Sequence, residues 1–326
     1  MMKLRRREFL QLAAGAVGLP LATRFACAQA YPSRPVRLLV GFGAGGAPDI
    51  LARLMAQWLS DRLGQPFVVE NRVGGSSGIA TEAVVQAPAD GQTLLLASLA
   101  NAVNATLYDK LNYNFIHDIA PVGGISRDPN VMVVVPSFPA KTVLEFIAYA
   151  KANPGKINMA SPGVGTSPHM AGELFKFMTG VDMAHVAYRG SPPALTDLLA
   201  GQVQVYFAPI SAVIGYVRDG RLRALAVTTA ARTDALPDVP TVAEFVPGYD
   251  SSSFYGIGAP KGTPADIVDK LNKEINAGLT DATLKKRLAD LGSVAFPGSP
   301  ADFGKLVADE TEKWAKVIKF ANIKPE

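Results

Sequence analysis

The chain has 326 residues, 48% hydrophobic and 18% charged, which excludes a disordered polymer and gives the length of about two domains. Its formal net charge of +4 sits at one end: five of the 32 basic and one of the 28 acidic residues fall within 1–30, leaving 27 of each beyond. A neutral body argues against nucleic acid or an anionic membrane surface as partner, because both select a surplus of Lys and Arg.

Residues 1–30 read as an export signal. Lys3, Arg5, Arg6 and Arg7 precede a mostly apolar stretch at 10–21, too short to span a bilayer, and Ala28-Gln29-Ala30 is an A-x-A cleavage site. Arg6-Arg7-Glu8-Phe9-Leu10 resembles the twin-arginine export consensus. The expectation is a protein exported to the periplasm and cleaved after Ala30. The single cysteine, Cys27, lies inside that signal, so the mature chain should hold no disulfide, no thiolate nucleophile and no Cys-bound metal.

Beyond the signal, an apolar run at 36–40 predicts a strand that ends in a glycine-rich turn at 41–46. Pro48 suits the start of a helix, and Leu51, Leu54, Met55, Trp58 and Leu59 mark its apolar face. A strand at 67–70, a polar turn at 71–78, a helix at 79–86 and a strand at 93–97 repeat the β-α-β order, followed by a helix or turn after Ser98. A middle block opens with a strand at 131–135, then a helix at 142–151 and a strand at 157–160. Ser161-Pro162-Gly163-Val164-Gly165-Thr166-Ser167 is a third small-residue turn, before a helix whose apolar face is Met170, Leu174, Phe175 and Met178. Further on come a strand at 186–188, a helix capped by Ser191, an alternating strand at 203–207 and a strand at 222–227. An irregular segment at 234–250 leads to a strand at 254–259 and helices at 264–278, 281–291 and 300–320. The alternation implies an α/β fold in two domains, each a mostly parallel sheet covered by helices. With no linker composition between them, the chain should cross between domains twice, near 131 and 254. Domain I would then be 31–131 with 254–326, and domain II 132–253.

Gly41-Phe42-Gly43-Ala44-Gly45-Gly46 satisfies G-x-G-x-x-G between strand and helix, with Glu70 as a ribose-binding acid, so an exported NAD(P)-dependent oxidoreductase is the alternative reading. Gly74-Gly75-Ser76-Ser77-Gly78 matches a nucleophile elbow, but no histidine follows His185 to complete a triad. His117, His169 and His185 have no metal-ligand spacing; His117 and His185 read as structural, and His169 stands in a helix's first turn, where it could reach an anion. The three small-residue turns form a pattern of their own. Each runs from strand to helix, so they should gather at one sheet edge and offer unpaired N–H groups to a carboxylate or phosphate. Asp49 is the one acid among them, suited to capping its helix.

With these residues in view, the chain resembles the Bug family, the TctC-like periplasmic solute-binding proteins of tripartite tricarboxylate transport. The resemblance rests on Tyr31-Pro32-Ser33-Arg34-Pro35-Val36-Arg37, Gly45-Gly46 followed by Asp49, Val69-Glu70-Asn71-Arg72 and Asp118-Ile119-Ala120-Pro121-Val122. It continues through 104–108, Ser161-Pro162-Gly163 up to His169, Tyr188-Arg189-Gly190 and Leu236-Pro237-Asp238-Val239-Pro240-Thr241-Val242, and so covers nearly all of the mature chain. It implies a two-domain periplasmic-binding-protein clamp that does no chemistry, needs no cofactor or metal and captures a small organic carboxylate between its domains. It also implies delivery to membrane subunits of a tripartite transporter by a monomer. Carried over by position, the ligand contacts are Phe42, Ala44, Gly45, Gly46, Ser76, Ser161, Gly163, Thr166, Ser167 and His169, with Arg189 as a second anion contact. The chain departs from the family in Val73, where Pro is usual, in Ser76-Ser77 within a glycine run, and in Ala208-Pro209, where an acid is expected. Without that acid, an unsubstituted organic acid is expected rather than an amino acid.

Overall fold

The structure, a computed structural model, describes residues 31–108 and 110–325; the expected signal, its cleavage site and Cys27 lie outside them. β1 (Val36–Val40) runs parallel to β2 (Phe67–Asn71) on one side and to β3 (Thr93–Ser98) on the other. Parallel neighbours need crossovers, supplied by α1 (Ala47–Leu63) and α2 (Gly78–Val85). α1 carries Pro48 in its first turn and stops at Gly64, whose left-handed backbone lets its N–H reach Ser60 O. After β3 the chain forms α3 (Leu99–Leu107) and the short α4 (Phe115–Asp118).

A second lobe repeats the scheme. There α5 (Val143–Ala152), capped by Thr142, leads into β5 (Asn158–Ser161). β5 runs parallel to β6 (Ala184–Ala187) and β7 (Val205–Pro209), with α6 (Ser167–Thr179) and α7 (Ser191–Leu199) as crossovers. α8 (Ile210–Arg218) and β8 (Arg223–Val227) complete it. The chain then returns through β9 (Ser252–Pro260), α9 (Ala265–Thr280), α10 (Ala282–Asp290), β10 (Val294–Ala295) and α11 (Pro300–Ala321).

One strand belongs to both lobes. β4 (Ile119–Val134) is 16 residues long and pairs antiparallel with β9 from Ile119 to Pro129, then with β7 from Asn130 onward and with β8 from Val131. Sequence reading finds only its last part, because Pro121, Gly123, Gly124, Asp128 and Pro129 dilute the strand signal ahead of it. The glycine at 124 has a packing cause: a Cβ there would stand 2.3 Å from the Phe296 ring. The strand order across the molecule is β2-β1-β3-β9-β4-β7-β5-β6, with β8 and β10 also on β4. Each lobe is thus an α/β unit of a two-lobed clamp, its outer strands parallel and its junction with the other lobe antiparallel.

Helices cover both faces of each sheet. In the first lobe α1 and α9 bury Leu51, Met55, Leu271 and Ile275 on one face, while α2, α3 and α11 bury Val84, Val103 and Trp314 on the other. In the second lobe Phe146 and Phe175 pack on one face, Leu195, Leu198 and Val213 on the opposite one. β7, expected to alternate, is instead buried at all five residues, because α6 covers one side and α7 and α8 the other. The lobes also share apolar contact: Val164 and Met170 of the second lobe are buried with Val103 and Leu107 of the first. Among the described residues no helix is long and apolar enough to cross a membrane.

Candidate functional site

The first glycine turn is shaped by what lies against it. A Cβ on Gly41 would stand 2.2 Å from the Ser77 hydroxyl oxygen and 2.3 Å from its Cα, so the two turns of the first lobe interlock only through glycine. Asp49 then locks the turn: its carboxylate accepts from the Gly45 N–H, from Arg53 and from Asn71, each at 2.9 Å, and Asn71 also donates to Phe42 O. Burial pushes the Asp49 carboxyl up, but the bonds from Arg53, Gly45 and Asn71 outweigh it and hold it below the usual aspartate range. Asp49 is therefore a brace for the turn as well as an acid in the first turn of α1.

The third turn is braced by its own polar groups. The Ser161 hydroxyl donates to Gly163 O at 3.0 Å and lies 2.6 Å from His185 Nε2, and the Thr166 hydroxyl donates to Gly163 O at 2.6 Å. His169 Nδ1 accepts from the Gly165 N–H at 3.0 Å while its ring stacks on His185, centroids 3.9 Å apart. Burial, then the neighbouring His185 and Lys176, pushes His169 down to about 2; burial and Lys176 push His185 down to about 4. Both rings are neutral near pH 7.

Between the lobes lies an inner chamber of about 30 Å³ in which five helices begin. Gly46 and Pro48 come from the start of α1, Ser98 and Leu99 from α3, Thr166 and Ser167 from α6, Ser191 from α7 and Pro209 from α8. Four of these helices, α1, α6, α7 and α8, have no side-chain cap on their first turn. Their first turns therefore leave uncapped N–H groups at the chamber, except at Pro48, Pro168, Pro192 and Pro193, which carry none, with the positive end of each helix dipole behind them. Two hydroxyls add to this. Ser167 Oγ accepts from Asn130 Nδ2 at 2.5 Å and Ser191 Oγ accepts from the Tyr206 hydroxyl at 3.1 Å, so each has its hydrogen left to donate inward. Among the described residues no charged side chain lines the chamber. The arrangement suits one carboxylate held by neutral donors.

Phe42 and Pro162 also border a wider vestibule of about 720 Å³, lined by the 73–76 turn, Tyr108, 162–164 and 187–190. Arg189, exposed, is its one charged residue among the described residues.

The structure brings most of the expected contacts together. Phe42, Gly46, Thr166 and Ser167 line the chamber, and Phe42, Ser76, Gly163 and Arg189 line the vestibule. Four line neither. Ala44 and Gly45 lie on the exposed side of their turn, and the Gly45 N–H is taken by Asp49. Ser161 is fully buried with its hydroxyl engaged by the turn. His169 is buried against His185, and its Nδ1 braces the turn from behind by accepting from the Gly165 N–H. The second turn reaches only the vestibule; there Ser76 and Ser77 hold left-handed backbone, and the Ser76 hydroxyl donates across the cleft to Val164 O. Sequence reading missed Ser98, Pro209, Ser253 and Tyr255 as chamber residues. Ser191, expected as the helix cap, is instead the first residue of α7: Gly190 (φ +115°) caps the helix and Ser191 lines the chamber.

The oxidoreductase alternative finds no support here. Glu70, its ribose-binding acid, is held bidentate by Arg37 at 2.6 and 2.8 Å and lines neither cavity. The 41–46 turn packs against Arg189 O and Pro192 of the other lobe. Among the described residues no group of His, Cys, Asp and Glu is placed to hold a metal ion.

Comparison with known proteins places the chain in a family. The family profile described as tripartite tricarboxylate transporter family receptor matches residues 51–323. BugT of Bordetella pertussis is 37% identical over 295 residues, 90% of each chain. The solved structure of R. palustris Rpa4515 with adipate is 40% identical, covers 91% of this chain and all of that one, and superposes with a TM-score of 0.88. MatC from Rhodopseudomonas palustris with bound malate is 31% identical, covers 88% and 100% of the two chains, and has a TM-score of 0.84. The chain belongs to the Bug/TctC family of tripartite tricarboxylate transporter receptors.

Proposed function

We propose that this protein captures a small organic carboxylate in the periplasm, its head group in the inner chamber and its body extending past Phe42 and Pro162 into the vestibule. The observation that carries this is the meeting of four uncapped helix starts with the Ser167 and Ser191 hydroxyls in a space without charged side chains. At about 30 Å³ the chamber has room for roughly two waters, which is also the room two carboxylate oxygens need. The adipate and malate held by Rpa4515 and MatC support the reading. Arg189 in the vestibule would meet a second acidic group. Among the described residues no acidic side chain lines either space to receive an ammonium, which favours an unsubstituted acid over an amino acid.

The shared apolar contact of Val164 and Met170 with Val103 and Leu107 would form on closing and part on opening, with β4 and β9 as the hinge. The closed form would be presented to the membrane subunits of a tripartite transporter. No chemistry and no cofactor enters this reading. Calorimetry and thermal shift on residues 31–326 with adipate, malate, benzoate, aspartate, glutamate and NAD test it. Binding of a plain carboxylate that is lost in Ser167→Trp, in a variant that still folds, is the expected result. Tight binding of aspartate or glutamate alone would overturn the ligand class, and binding of NAD alone would overturn the function.

A further inference from the structure

Beneath the chamber lies a carboxyl group that anion capture by helix starts does not use. Asp128 is fully buried in β4, where it pairs in register with Ser253 of β9 and so shares its face of the sheet. Ser253 and Tyr255 of that face line the chamber. Asp128 also touches both lobes: its Oδ2 accepts from Ser211, in the first turn of α8, at 3.2 Å, and from Ser293, just before β10, at 3.1 Å.

Its surroundings are neutral. Ser126 and Asn130 share its face on β4, Ser253 and Tyr255 face it from β9, Ser211 from α8 and Ser293 from the segment before β10. The titratable group among them is Tyr255, with Tyr206 of β7 behind it, and burial holds both phenols above their usual range. No cation is among the groups acting on Asp128: burial pushes its carboxyl up to about 6, and the Ser126, Ser293 and Ser211 hydroxyls only partly offset this. Arg127 and Pro129 point the other way, into the groove behind the hinge. Among the described residues, three buried atoms on this face of β4 lack a hydrogen-bond partner at normal distance, Asp128 Oδ1, Ser126 Oγ and Asn130 Oδ1. A proton on Oδ1 would turn that oxygen into a donor toward the serine.

We propose that Asp128 is a proton site coupled to ligand capture: an anion seated in the chamber is bound together with one proton that the Asp128 carboxyl takes from solvent. A second negative charge arriving over an ionised, uncompensated carboxylate raises the energy of both, and protonation of Asp128 removes the conflict. By linkage, whatever binds the protonated form better draws in the proton, and acid in turn tightens the ligand. This rests on the carboxylate reading of the chamber.

The test is calorimetry of the mature protein with adipate at pH 6, 7 and 8, in two buffers of different ionisation enthalpy. The expected result is proton uptake at pH 7 and 8, approaching one per ligand. Affinity should fall by up to tenfold per pH unit above pH 6 and level off below it. His169 and His185 are neutral throughout this window in the free protein, and the comparison with Asp128→Asn separates them from Asp128 as the group that takes the proton. Asp128→Asn should bind adipate with no proton uptake and a flat pH profile. The same uptake in Asp128→Asn, or none in the wild type, overturns the proposal. If Asp128→Asn does not fold, Ser211→Ala/Ser293→Ala serves instead. Removing the two donors to the ionised form should move the pH midpoint upward, and an unmoved midpoint overturns the proposal. Failure of adipate and every other acid to bind would reject the carboxylate reading itself, and the coupling with it.

Discussion

The side-chain amide of Asn130 donates to the hydroxyl of Ser167 at 2.5 Å, tying the strand shared by both lobes to the start of α6. The bond fills the acceptor side of Ser167 and aims its hydrogen at the chamber. A hydrogen bond to a charged group contributes about 1.5–3 kcal/mol, so Ser167→Ala should weaken carboxylate binding by roughly 10- to 100-fold. Asn130→Ala should weaken it less, because the hydroxyl remains but loses its orientation. Calorimetry of the two variants and their double checks this: the double should be no worse than Ser167→Ala alone.

Arg189 should discriminate between ligands without affecting the head group. Arg189→Gln is expected to lower the affinity for a dicarboxylate such as adipate by roughly tenfold, in the range of a charge-assisted hydrogen bond. The monocarboxylate of equal length should bind it and the wild type alike. A competition series of paired acids measures the difference.

Gly41→Ala should be strongly destabilising. The added carbon would meet Ser77 at 2.2–2.4 Å, including its Cα, and backbone cannot rotate away as a side chain does. Overpacking of this kind costs about 1–3 kcal/mol or more, which thermal melts would show as a drop of several degrees. Ligand affinity should fall as well, since the interlocked turns carry Phe42 and Ser76.

Asp49 and Asp128 should respond to pH in opposite senses. The Asp49 carboxyl lies below its unfolded value, so its stabilisation is present above about pH 4 and is lost as pH falls through its folded value. Asp128 lies above its unfolded value, at about 6, so its contribution is full below about pH 4 and is lost as pH rises through 6. A shift of about two units is worth roughly 3 kcal/mol, the amount by which Asp128→Asn should gain on the wild type between pH 4 and 7.5. Urea melts of both proteins, without ligand, across that range provide the check.

Local chemistry was enough to read most of the elements. Strand and helix in each lobe follow from apolar runs and 3.6-residue periodicity, and the turns from Gly, Ser and Pro, all of which act within a few residues. The family likeness was legible for the same reason, in short motifs such as Tyr188-Arg189-Gly190. The tertiary structure decided everything that depends on which distant residues meet. It made β4 one strand across both lobes, because β9 pairs with a segment whose prolines and glycines hide it. It buried His169 and Ser161, whose Nδ1 and hydroxyl are engaged by Gly165, Gly163 and His185. It also brought Ser98, Ser191 and Pro209 to the chamber, and Asp128 beneath it, through sheet order, which no local pattern encodes.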